Sequence, residues 1–454
     1  MVRRALIPIL LVVLGASPAQ ASVFEVFGAG ARAQGMAGVG VTTDRDAGAA
    51  WTNPATLLDV ERSAHLGWFT GFDRTAILLM KRPSGYEPLT YDTRLRTRRD
   101  TEGGASMSGL LGGIALQIPA WDVAVGAVVY APTSGFARLR PHFNDEREQY
   151  FTNKLHFEVL GSRLHSEVMA AGLGYRVADW LSLGLGLAVL PINTTNAAVY
   201  TPNPSAPEGS FISPDIEQGA LKALTAGIVV KPSEGLRFGL AFQDEVFFRV
   251  KGANEVQLRG TERGAAYPVL QEMNVVGNYS PPRITAGGSV AWDGFTGAVE
   301  FRWRQWERYR DSFGGDDGFM DTVDISSGIE LQPDPVTTFR VGGSFRPTPA
   351  PLATGRATYV DNERVVLGIG GGRRFTVADQ EFDLDLGVQF HGLLERTVHK
   401  ELPDGELAQC APGVTAVCDE SAQAEGSQIG GPGFPGWTSG GYFLAASLDL
   451  LWHF

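Results

Sequence analysis

The sequence predicts an all-β fold: a transmembrane antiparallel β-barrel of about 14 strands, plugged by its own N-terminal segment. Three observations predict it. No stretch after the first residues approaches 18 consecutive apolar positions, so no helix can span a bilayer. Runs of about 9–15 residues instead alternate apolar and polar positions with period two, as strands do when each face meets a different medium. These runs come in pairs joined by very short turns, and long polar segments separate the pairs. Outer-membrane barrels have that asymmetry, with short periplasmic turns and long extracellular loops.

The chain begins with a basic pair, Arg3 and Arg4, an apolar run Ala5–Ala16, and Ala19-Gln20-Ala21. This is the order of a secretory signal with a small-x-small cleavage site, so residues 1–21 are expected to be removed. Residues 22–60 are then an N-terminal unit and 61–454 the barrel. Loss of the two arginines leaves 36 basic against 50 acidic residues, a net −14. Such an acidic chain has no electrostatic footprint for nucleic acid.

The stretch Val23–Leu58 is rich in Gly and Ala, carries little charge, and has neither strand alternation nor a clean amphipathic helix. Gly28, Gly30, Gly35, Gly38 and Gly40 permit close backbone approach. A segment this apolar makes a poor exposed tail and is expected to sit inside the barrel, although an ordinary Gly-rich leader is the alternative. The candidate plug and gating residues are Phe24, Phe27, Gly38, Gly40, Asn53, Pro54 and Ala55. Pro54 fixes φ and pushes Asn53 out of the helical region. The Asn53 side chain can bond nearby backbone, and Ala55 is small enough for the turn to press on the wall.

Five hairpins follow: Met107–Ile118 with Trp121–Pro132, Val168–Val177 with Trp180–Leu190, Leu221–Lys231 with Leu236–Val250, Arg283–Trp292 with Phe295–Tyr309, and Val365–Phe375 with Phe382–Leu394. Segments 133–160, 191–218, 251–280, 310–335 and 396–439 read as loops. Trp121, Trp180, Trp292, Phe295 and Tyr175, beside the short turns, suit an interfacial girdle. Residues 381–391 give the clearest alternation, with Phe382, Leu384, Leu386, Val388 and Phe390 on one face and Asp383, Asp385, Gln389 and His391 on the other. The last strand, Tyr442–Phe454, must close the barrel against a first strand near Arg62–Phe72, because an open edge in lipid leaves backbone groups unpaired. That makes twelve strands. Two weaker ones, drawn from 74–81, 254–260 or 351–360, bring the number to an even fourteen.

Candidate chemistry is sparse. There is no HExxH, GxSxG or GxxxxGK[ST], so no enzyme, metal or cofactor is expected. The run Gly368–Arg374 lies within a strand pattern with no helix after it, and reads as small wall residues. Glu300, Arg302 and Arg304 form a charged row opposite Val299, Phe301 and Trp303. They read either as solvated lumen wall or as anchors for a carboxylate or for the plug. Cys410 and Cys418 are the only cysteines and, in an exported chain, read as a disulfide.

The order Gly30, Gly35, Gly38-x-Gly40, Asp46 and Asn53-Pro54-Ala55, just after a signal sequence, resembles the N-terminal hatch of the FadL/TodX (OmpP1) family of outer-membrane transporters. The resemblance implies a monomeric 14-stranded barrel in the Gram-negative outer membrane, with outer-membrane lipid, the barrel assembly machinery and a hydrophobic small molecule as partners. Phe454 would carry the assembly signal. The resemblance also implies uptake of long-chain fatty acids or other hydrophobic compounds with lateral release through an early strand, here the one ending at Pro132 and Gly135. Pro132 removes a ladder donor and Gly135 weakens the strand; the same residues could simply end it. A structural or adhesive barrel with a sealed lumen, or a general diffusion porin, are the competing readings.

Overall fold

The computed structural model describes residues 23–79, 101–102, 106–133, 167–190, 193–196, 200–203, 206–218, 221–256, 269–309, 318–352, 360–399 and 436–454. The signal sequence, Gly135, Cys410 and Cys418 lie outside these residues. Fourteen strands close into one antiparallel barrel in which every neighbour in sequence is a neighbour in space. They are β1 Ser63–Leu79, β2 Ser106–Ile118, β3 Val123–Pro132, β4 Val168–Ala178, β5 Leu181–Leu190, β6 Leu221–Ser233 and β7 Leu236–Gln243. The second half comprises β8 Arg283–Trp292, β9 Phe295–Arg304, β10 Thr322–Asp334, β11 Thr337–Arg346, β12 Arg364–Val377, β13 Gln380–His399 and β14 Gly436–His453.

Closure runs through β1, which pairs with β2 on one side and with β14 on the other, from Ser63↔His453 to Leu79↔Trp437. No strand edge of the barrel is left open to lipid, the condition a membrane-spanning sheet must meet. Several tight turns take the positive φ that two-residue hairpin loops demand: Asp293 and Gly294 have φ 41° and 75°, Ala378 and Asp379 51° and 63°.

The alternation is inverted relative to a soluble sandwich. Leu384, Leu386 and Phe390 point outward and are exposed, whereas Asp385, Gln389 and His391 point inward and are buried. The same holds on β14, where Leu444, Leu448 and Leu450 are exposed while Ser447 and Asp449 are buried. Apolar outside and polar inside is the arrangement for which lipid is the solvent. Trp121, Trp180 and Trp292, beside the short turns, are exposed at 71%, 54% and 58%, as ring-shaped amphiphiles at a membrane interface would be.

Three expectations need correction. The segment 310–335 is not all loop: β10 and β11 are the two remaining barrel strands, joined at Pro335-Val336. The weak candidates 254–260 and 351–360 contribute no barrel strand among the described residues, and 74–79 simply extends β1. Sheet pairing overrode local composition here, since Ser326-Ser327-Gly328 and Gly342-Gly343-Ser344 interrupt the apolar rows at the same level of neighbouring strands. The segments 191–218 and 251–280 also carry strands. Asn193–Asn196, Tyr200–Asn203, Ala206–Gln218, Val246–Val256 and Val269–Ser280 form a second sheet from the long connections. Its strand Val246–Val256 is separated from β7 by a break at Asp244-Glu245.

Because Leu448 faces lipid between Trp68 and Leu386, Leu448→Lys should destabilise the barrel by about 2–4 kcal/mol at mid-membrane depth. The check is the temperature at which the heat-modifiable band on unboiled gels converts, which should fall for Leu448→Lys and hold for Leu448→Phe.

Candidate functional site: the N-terminal segment and the lumen wall

Residues 23–60 lie inside the barrel, and Arg45 is their only exposed side chain. The segment folds as short helices, α1 Val23–Phe27, α2 Ala31–Gly35 and α3 Ala49–Thr52, followed by a 3-10 helix, Pro54–Asp59. None is long enough to be stable alone. The wall holds them.

The wall has two halves. On β3 every lumen-facing residue is uncharged: Ala124, Gly126, Val128, Tyr130 and Pro132. Gly184 and Gly186 on β5 continue this small-residue surface. On β8 to β13 the lumen face is ionic, and includes Arg283, Glu300, Arg304, Glu330, Arg340 and Asp385. The segment matches each half with the complementary chemistry.

Against the ionic half it is clamped by charged hydrogen bonds. Glu300 Oε1 accepts the Gly40 and Val41 backbone N–H groups at 2.7 and 2.5 Å. Arg302 Nη2 donates to the Gly38 carbonyl at 3.3 Å. Arg304 bridges Glu25 of α1 and Asp324 of β10, both at 2.8 Å. Arg32 of α2 meets Glu330 at 3.1 Å, and Arg340 links Glu330 to Asp385 at 2.7 and 2.5 Å. The Ala31 N–H donates to Asp449 at 2.5 Å. The sequence marked Glu300, Arg302 and Arg304 but not Glu25, Arg32, Glu330, Arg340 or Asp449. Glu330 and Arg340 sit on β10 and β11, whose broken apolar rows leave their lumen face unmarked in the sequence.

Against the small-residue half, backbone meets backbone. Asn53 is extended, with φ −154°, and caps the 3-10 helix: its Oδ1 accepts the Ala55 N–H at 3.1 Å. Its Nδ2 donates to the Val41 carbonyl at 2.7 Å and to the Ile228 carbonyl of β6 at 3.4 Å. One side chain therefore ties two parts of the segment to the wall. Pro54 and Ala55 press on Gly184, where an added Cβ would strike the Ala55 backbone, and Gly227 leaves room for Asn53 itself. A second close approach holds α2, where Gly368 and Gly387 face the carbonyls of Gln34 and Ala31. The Gly368–Arg374 run is thus a seat for backbone.

Phe24 and Phe27 of α1 enter an aromatic cluster with the wall. Phe24 lies 5.8 Å from Trp51 and 6.2 Å from Tyr130, and Phe27 lies 5.4 Å from Phe69 and 4.9 Å from His391, ring centroid to centroid. These distances fit the favoured edge and tilted arrangements. Phe69 meets Tyr130 at 5.8 Å, so the cluster extends up β1 and β3. The buried Tyr130 hydroxyl has no hydrogen-bond partner among the described residues. Pro132 is buried, pairs with Gly109 of β2, and lies beyond the last β3–β4 pair, Tyr130↔Val168. Phe454 sits at the opposite end, its ring 5.1 Å from that of Trp452.

Between the segment and β8–β9 a small cavity of about 30 Å³ is lined by Glu25, Trp51, Arg283 and Glu300, room for one water. No cluster of His, Cys, Asp or Glu among the described residues is arranged to hold a metal ion.

A closed fourteen-stranded barrel with lipid-facing apolar rows and a lumen filled by its own N-terminus defines an outer-membrane barrel of the plugged class. Residues 12–429 match the family described as outer membrane protein transport protein (OMPP1/FadL/TodX), and the chain belongs to that family. No curated protein matches the chain by sequence. Among solved structures, a Pseudomonas aeruginosa FadL homologue is similar at TM-score 0.62 and 15% identity, covering 96% of this chain and 99% of the other. The toluene transporter TodX of P. putida has TM-score 0.51 and 13% identity, over 94% and 99%. A monoaromatic hydrocarbon channel, CymD, has TM-score 0.51 and 14% identity, over 95% and 99%. At these identities the likeness is one of fold.

Asn53→Leu removes a cap, one bond within the plug and one to the wall, and leaves the Val41 and Ile228 carbonyls short of donors, a cost of roughly 1–3 kcal/mol. The barrel should still assemble, because its ladders are untouched. Hydrogen exchange measured by mass spectrometry should show faster exchange over residues 41–56 and unchanged protection in β12–β14. Gly227→Ala, which crowds Asn53, should give the same pattern.

Proposed function

We propose that this barrel takes up hydrophobic small molecules, long-chain fatty acids or aromatic hydrocarbons, from the long-loop side and releases them laterally near the end of β3. The observation that carries this reading is the aromatic cluster of Phe24, Phe27, Phe69 and Tyr130 at the head of an uncharged wall, in a lumen whose other half is ionic. An apolar chain gains roughly 0.8 kcal/mol per CH₂ transferred from water into such a site. The neighbouring solved structures described as a toluene transporter and a monoaromatic hydrocarbon channel support the same cargo class.

In this mechanism Phe24 and Phe27 are the movable lid of the cluster, and Gly38, Gly40 and Asn53-Pro54-Ala55 are the fixed points on which the plug turns. The 30 Å³ cavity at the seam is far too small for an acyl chain, so cargo must displace part of the plug. Onward passage through the ionic lumen would strip an apolar molecule of favourable contacts. Departure past Pro132 and Gly135 into the bilayer avoids that. Pro132 lacks an N–H, and it lies beyond Tyr130, the last β3 residue paired with β4 among the described residues. The Tyr130 hydroxyl, without a partner among the described residues, gives a carboxyl head group one bond within an otherwise apolar site.

Mass spectrometry of lipophilic compounds copurifying with the full barrel tests the reading. A fatty acid or hydrocarbon should be retained, and Phe27→Gln should lower its affinity about ten-fold, matching loss of one buried aromatic contact. Absence of any lipophilic ligand, together with porin-like diffusion of small polar solutes, would favour the porin. Absence of both ligand and diffusion would favour the sealed structural barrel.

A further inference from the structure

At the short-turn end of the lumen, below the plug, lies a second cavity of about 410 Å³, within the range of small-ligand sites. It borders the Pro335-Val336 turn and the C-terminal end of β14, on the periplasmic side of the barrel. Its lining is unlike the apolar cluster. Arginines and carboxylates alternate around it, and nothing in the uptake mechanism uses it.

The carboxylates of this vestibule are already engaged. Glu330 holds Arg32 and Arg340, and Asp385 holds Arg340. Asp59 holds Lys231 at 2.5 Å and Arg237 at 3.1 Å. Asp383 holds Arg374 at 2.7 Å and His453 at 2.9 Å. Two lining cations pair with no carboxylate among the described residues: Arg373, which donates to the Thr337 hydroxyl at 3.1 Å, and Arg45. Arg45 makes no ion pair or hydrogen bond among the described residues, lines the cavity, and is the one exposed side chain of the plug. Its chain neighbours are engaged elsewhere: Asp44 accepts from the Thr52 hydroxyl, and Asp46, which also lines the cavity, accepts the Gly48 N–H at 2.7 Å.

We propose that this periplasmic vestibule is a binding site for a small anion bearing a carboxylate or phosphate group, with Arg45 as its primary ligand and Arg237 closing it from β7. A guanidinium offers such a group a planar two-donor fork. Enclosure, and then the neighbouring Arg32 charge, disfavour the cation on Arg45, so a bound anion relieves a cost that the empty site carries. The site is separated from the apolar cluster by the plug and its clamp, so it is independent of the hydrophobic cargo.

The test is titration calorimetry on the full-length barrel in detergent, with inorganic phosphate and, separately, succinate, both at fixed ionic strength. Wild-type protein should bind one of the two saturably at one site, and the tighter probe identifies phosphate or carboxylate as the recognised group. Arg45→Gln should weaken that binding about ten-fold or more, and Arg45→Lys should restore part of it. Since Arg45 bonds to nothing in the fold, both variants should keep the heat-modifiable mobility of wild type, and that is checked first. Non-saturable heats with both probes, or equal affinity in wild type and Arg45→Gln, would overturn the assignment. Copurification of hydrophobic compounds should be unchanged in Arg45→Gln, which separates failure of this site from failure of the uptake reading.

Discussion

The structure depends on the ionic contact between the N-terminal segment and one half of the lumen wall. Arg304, buried between Glu25 and Asp324, is its centre. Charges on the inner face of a barrel are cheap only while water or a partner reaches them, and filling the lumen removes the water. Every buried charge must then be matched by the object that displaced its solvent. Glu300 receives two backbone N–H groups, and Arg32 and Arg340 share Glu330. Such pairs add little net stability compared with apolar packing, but they fix register, because losing one partner strands the other. The plug is thereby held in one place even though its helices are too short to hold themselves.

The second half of the wall works by shape. Small residues on β4 and β5 let Pro54 and Ala55 come within backbone contact, and Asn53 fastens the joint. An ionic side that specifies position and a small-residue side that specifies proximity leave a third zone, the aromatic cluster, that does neither. The molecule is thus zoned: apolar toward the long loops, clamped in the middle, and ionic toward the short turns. An apolar molecule arriving from the first zone has no favourable way through the third.

Much of this was legible in the chain. The alternation at Leu384–His391 needs only period two, its lipid-facing sense comes from short turns alternating with long segments, and the hairpin pairs announce themselves through turns such as Asp293-Gly294. The Gly-rich stretch ending in Asn53-Pro54-Ala55 pointed to an element meant to be enclosed. Strands β10 and β11 escaped notice because Ser327 and Gly343 stand where an apolar residue would complete each row. Cross-strand pairing supplies what side-chain pattern does not. The clamp was only partly legible for a different reason. Glu25 and Arg304 lie far apart in the chain, and no local rule joins them. Closure of the barrel brings them together, so their pairing follows from the fold as a whole.

The central claim is that this clamp keeps the lumen shut. Single-channel recording in planar bilayers tests it most directly, comparing wild type with Arg304→Ala. The account predicts a near-silent wild-type barrel and discrete openings in the variant. Loss of Arg304 removes the shortest ion pair of both Glu25 and Asp324 among the described residues, and it loosens α1 from the wall by leaving Glu25 to Ser280 and the more distant Arg283. A steady ohmic conductance in the wild type, or equal silence in both proteins, would contradict it.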